Sequence, residues 1–95
     1  MNIKSDRDQK MSKYTPLQNF LMTLPRSQRD IKLTFDRIEQ IIIDKLPYSA
    51  FHHRAWWSNE RNGRHVEAHS WLNAGWQVET VNQEQKRVRF IRAES

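Results

Sequence analysis

The 95-residue chain contains no cysteine, so neither disulfides nor a thiolate metal site can support its fold. A reducing compartment fits that absence. Gly63 and Gly75 are its two glycines, which leaves no glycine-rich loop to cradle phosphates. No apolar run approaches the roughly 18 residues of a membrane span, and no signal-peptide core opens the sequence. The expectation is therefore a cytoplasmic protein. Residues 1–13 hold almost nothing apolar and read as a disordered tail, which leaves 14–92 as a single compact domain. A domain that small buries little surface, so its four Trp and four Phe are the main core-builders.

Charge of one sign is in excess. Sixteen Lys and Arg against eleven Asp and Glu give a net charge of +5. That balance favours an anionic partner, with DNA or another nucleic acid first.

Periodicity orders the elements. In "YTPLQNFLMTLP", Leu17, Phe20, Leu21 and Leu24 fall at helical spacing after Pro16. "IKLTF" alternates like a short strand, and Thr34 can cap the helix "FDRIEQIIIDK", with Asp36 in its first turn. After Leu46-Pro47, Ser49 can cap a third helix running through "AFHHRAWW". A fourth, "RHVEAHSWLNA", places Val66, Ala68, Trp71 and Leu72 inward and ends at Gly75. "WQVETV" and "RVRFIR" flank a polar turn as a hairpin, with Trp76, Val78 and Thr80 on one face.

The fold class expected is α+β: a small helical domain with a C-terminal two-stranded β-hairpin, winged-helix-like in its element order. One helix is surplus to that order, unless "RHVEAHSWLNA" is itself the recognition helix.

The stretch "HHRAWWSNERNGRH" carries the chemistry. His65 and His69 lie four apart on a helix, with His52, His53 and Glu67 as further ligand candidates. The order His-Val-Glu-Ala-His lacks the glutamate placement of zinc proteases, and no metal or other cofactor is expected. A His-Asn-His nuclease built on His53, Asn59 and His65 needs a hairpin where the pattern shows a helix. Nucleic-acid contact fits better. Arg54, Arg61 and Arg64 can reach phosphates or guanine, Asn59 and Asn62 can pair with adenine, and Trp57 can stack on a base. His53 and the helix start near Ser49 add donors. Because neighbours on a helix diverge by about 100°, Trp56 is expected in the core and Trp57 at its rim. Arg87 and Arg89 of the last strand, facing away from Val88 and Phe90, can rest on phosphates.

The segments "LTFDRIEQII", "LPYSAFHHRAWWSN" and "HVEAHSWLNAGWQVETV" together resemble a family of small, largely uncharacterised prokaryotic domains. Its pattern reads LPxSAxxHRAWWxN, then HxxAxxWLxAGWxV, and the likeness spans about Tyr14 to Arg92. Ser49, Ala50, His53, Arg54, Ala55, Trp56, Trp57 and Asn59 match the first part, and the spacing to Trp71 makes His65 the later histidine. The basic loop Arg61 to Arg64 departs from the pattern. Such domains are expected alone or beside restriction-type enzymes, which implies DNA binding and supplies no catalytic residue.

The function expected is non-catalytic binding of duplex DNA as a regulator or targeting module, with homodimerisation in keeping. The contact set is Ser49, His53, Arg54, Trp57, Asn59, Arg61, Arg64, Arg87 and Arg89. Two rivals are a protein- or small-anion-binding module with a Ser49/His53/Arg54/Trp57 pocket, and a metal-dependent nuclease.

Overall fold

Local chemistry starts and stops each element. Pro16 stands in the first turn of α1 (Thr15–Met22), where its missing N–H costs nothing. The Thr34 hydroxyl accepts from the Arg37 N–H at 3.0 Å and caps α2 (Phe35–Ile42), as its sequence position predicts. The computed structural model describes residues 12–61 and 65–93. There the order continues through α3 (Tyr48–His52), a 3-10 turn (Arg54–Trp57) and α4 (Val66–Asn73). The predicted tail falls outside the described residues except at 12 and 13. No described helix is long and apolar enough to cross a membrane.

The three strands β1 (Asp30–Thr34), β2 (Trp76–Asn82) and β3 (Arg87–Arg92) make one antiparallel sheet in the order β1-β3-β2. The α+β class is as expected, and the hairpin gains β1 as a third strand. Leu33 pairs with Val88 and Ile31 with Phe90, which turns these side chains toward the helices, while Lys32 and Thr34 face outward beside Arg89 and Arg87.

Between Val78 and Thr80 the register slips, leaving Glu79 as the extra residue of a β-bulge. The bulge overturns the expected alternation of Trp76, Val78 and Thr80. Past Glu79, Thr80 and Asn82 share the outer face with Arg89 and Arg87, and the half-buried Val81 packs against the core.

The core lies between the inner sheet face and the helices. Leu17, Leu21, Phe35, Ile38, Trp57, Ala68, Trp71, Trp76, Val88 and Phe90 are buried there. Val66, expected inward, is 50% exposed; α4 buries Glu67, Ala68, Ser70 and Trp71 instead. Arg92 crosses the Trp76 ring at 4.3 Å and donates to the carbonyls of Leu24, Pro25 and Gln28, tying the chain after α1 to β3.

At the end of α2, Ile43 adopts φ 56°, ψ 45°, the left-handed conformation in which its Cβ crowds the backbone. It is also 86% exposed, so burial returns almost nothing for the strain. Ile43→Gly should therefore raise stability by about 1 kcal/mol after glycine's own entropy cost. Ile43→Ala, which keeps the Cβ, should gain little. Denaturant unfolding of the two variants checks the difference.

Candidate nucleic-acid interface

Residues 50–57 do not form the single helix their sequence predicts. Pro47 precedes α3 with extended backbone, so Ser49 lies inside the helix, where its carbonyl accepts from the His53 N–H at 2.8 Å. His53 then leaves helical geometry, at φ −121° and ψ 109°, and the chain re-enters as the 3-10 turn. The break reverses the expected roles of the tryptophans. Trp57 is 1% exposed and donates from Nε1 to the Ala50 carbonyl at 2.9 Å. Trp56 is half-buried, with its ring edge-on to Tyr14 and Trp57. Trp57 thus has no free face for a base, and a ligand pocket with its ring as an exposed wall has no counterpart here.

Two further candidates hold the fold together. Asn59 Oδ1 accepts from the Trp71 indole and the Val78 N–H, and its Nδ2 donates to the Val78 carbonyl, each at 2.9 Å. One amide therefore ties the segment after the 3-10 turn to α4 and to β2, and its oxygen, which a bidentate pair with adenine needs, is already filled by two donors. Arg89 bridges Asp30 of β1, at 3.0 Å, and Glu79 of β2, which engages its charge across all three strands. Arg61 is exposed, with its guanidinium 3.4 Å from Asn73 Oδ1. Arg87 is exposed and donates to the neutral Gln85 side chain. Asn62 and Arg64 lie outside the described residues.

What remains outward is a compact edge. His53 and Arg54 are exposed and Ser49 is half-buried. Beside them stand Tyr48, 70% exposed, and His52, their rings stacked at 4.1 Å. Among the described residues, the side chains of Tyr48, His52, His53 and Arg54 make no hydrogen bond or ion pair. Tyr48 is not among the candidates that the sequence suggests, although its i, i+4 spacing to His52 marks one helix face.

The other histidines are engaged within the fold. His65 Nδ1 lies 3.0 Å from a carboxylate oxygen of the buried Glu67, and His69 Nε2 lies 2.8 Å from the Arg61 carbonyl. Among the described residues no three His, Asp or Glu side chains gather to hold a metal. Near Glu67, burial pushes the Tyr14 phenol up to about 12, with the charges of Glu67 and Asp44 acting in the same direction.

The model of the family described as Domain of unknown function (DUF7662) matches residues 14–93, and the chain belongs to that family. No curated protein and no solved structure matches it.

Asn59→Ala should destabilise the domain by about 2–3 kcal/mol, because three partners lose their bond at once. Thermal unfolding should show a fall of roughly 10 °C or more. Tyr14 gives a pH prediction. Its folded pKa lies above the unfolded value, so the unfolded chain loses the proton first and stability falls as pH rises from 10 to about 12. In Tyr14→Phe that share of the alkaline loss should vanish from urea midpoints measured across the range.

Proposed function

We propose that this domain is a non-catalytic, winged-helix-like module that binds duplex DNA by presenting α3 to the major groove. The observation that carries the reading is the unpartnered edge of Tyr48, His52, His53 and Arg54. Four adjacent side chains able to stack, donate or carry charge stand in solvent and, among the described residues, make ring contacts with one another but no hydrogen bond or ion pair. A recognition helix reads bases with its N-terminal residues; Tyr48 and Ser49 occupy that part of α3, and His52 ends it with its ring stacked on Tyr48. Arg54 follows as a phosphate contact. The strand order and the hairpin beside α3 are in keeping with a wing.

The surplus helix has a simple account in this reading. α4 spends Glu67, Ala68, Ser70 and Trp71 on the interior, so it supports the fold and α3 is the element that meets DNA. The resemblance to domains expected alone or beside restriction-type enzymes favours a cytoplasmic regulator or targeting module, and symmetric sites would suit a homodimer.

The test is a low-salt binding series with random duplex, single-stranded DNA and RNA. Duplex affinity should drop about 40- to 150-fold between 50 and 200 mM salt, as expected when three or four phosphates are neutralised. Arg54→Ala should weaken binding to every sequence alike and lower the salt slope by about 1, whereas Tyr48→Ala and His52→Ala should alter sequence preference. Binding indifferent to salt, or silence with every nucleic acid, sinks the reading. Tighter binding to either single strand replaces the duplex with that partner.

A further inference from the structure

A groove of about 260 Å³ lies on the outer face of the sheet, lined by Lys32, Thr80, Asn82, Gln85, Arg87 and Arg89. Strand register explains the grouping. Lys32, Arg89 and Thr80 form one rung across β1, β3 and β2, and Thr34, Arg87 and Asn82 form the next. Without the bulge at Glu79, Thr80 and Asn82 would fall on the core face with Val78. The irregularity is therefore what supplies the groove with its polar wall on β2.

The charges in the groove are unequal. Arg89 is neutralised by Asp30 and Glu79, an arrangement that fixes the strands and removes it as a ligand. Lys32 is exposed and has no ion pair among the described residues. Among the described residues Arg87 donates to the neutral Gln85 oxygen alone, which orients its guanidinium without cancelling the charge. Asn82 Oδ1 accepts from the Gln85 N–H at 2.8 Å, which directs one side of that amide and leaves its NH₂ as a donor. Two cations with a hydroxyl and an amide donor between strands make a surface for a tetrahedral oxyanion.

We propose that the groove seats one backbone phosphate of the bound DNA strand between Lys32 and Arg87, an inference that rests on the DNA reading of α3. Its position supports that source over a free phosphate ester. Gln83 of the hairpin turn donates to the Ala50 carbonyl of α3 at 3.0 Å, and the Phe35 N–H donates to the Lys86 carbonyl at 2.8 Å. The turn at the end of the groove is thus bonded to the helix that carries the outward edge. In this proposal a strand that contacts α3 passes that turn to reach the groove on the outer sheet face.

The experiment compares the Lys32→Ala/Arg87→Ala double variant, Thr80→Val, Arg54→Ala and wild type on a random 30-base-pair duplex across a salt series. The double variant should bind about tenfold more weakly whatever the sequence, with a salt slope smaller by about 0.9, the share of one neutralised phosphate. Thr80→Val should weaken binding a few-fold and leave the slope unchanged, because it removes a donor and no charge. All four side chains are exposed, and matching unfolding temperatures would confirm intact folds. If the double variant keeps wild-type affinity and slope while Arg54→Ala is impaired, the groove is not a phosphate seat and the DNA reading stands. If inorganic phosphate at millimolar concentration shifts the amide resonances of Lys32 and Arg87 but wild type binds no duplex, the occupant is a free phosphate ester and both proposals fall as stated.

Discussion

A column of aromatic rings joins every layer of this molecule. Phe35 at the start of α2 stacks on Trp57 at 5.1 Å, Trp57 on Trp71 of α4 at 5.9 Å, and Trp71 meets Phe90 of β3 at 5.5 Å. Each ring belongs to a different element, so the column fixes four elements relative to one another. A chain without disulfides depends on such contacts, because large rings bury the most apolar area per residue ordered. Asn59 and Ala50 complete the arrangement by accepting from the two indoles at its centre.

The outward edge follows from that column. Trp57 reaches the core only if the chain turns between α3 and the tryptophan, and the extended backbone at His53 provides the turn. A continuous helix would have carried Trp56 inward and drawn His53 and Arg54 to other faces. The fold requirement and the exposure of His52, His53 and Arg54 thus have one origin. The motif HRAWWxN reads accordingly as a packing device at its Trp and Asn positions, with its His and Arg positions facing solvent.

Much of the architecture was legible in the sequence. Apolar spacing located α1, α2, α4 and the hairpin, and Thr34 and Gly75 marked element ends because capping and positive φ are local chemistry (Gly75 sits at φ 88°). β1 was readable as a strand, but its partner was not, since pairing with β3 is a long-range choice. The bulge at Glu79 was hidden too: an alternating string looks the same whichever residue is skipped. The site was less legible for a related reason. Asn59 and Arg89 have the side chains that read bases and grip phosphates, yet the fold uses both. Residue type shows what a side chain can bond, whereas only the three-dimensional neighbours show whether it is already engaged.

That distinction also refines what a net charge of +5 means. Arg89 sits between two carboxylates, Arg92 spans three carbonyls, and Lys13 lies 3.6 Å from Asp44. These cations add to the formal total but little to a directed field, because their charges or donors are met at short range. Arg54, Lys32 and Arg87 are different: each is exposed, and no carboxylate answers it among the described residues. Arg54 follows α3 and the other two lie on the outer sheet face, while Arg26, Arg29, Lys45 and Lys86 are exposed as well, so the unanswered positive charge is spread over several elements. An extended polyanion can meet such a surface at several points, whereas a small anion can occupy only one. The distribution of unanswered charge, rather than its sum, is the reason the proposed reading takes a nucleic-acid strand over a small anion.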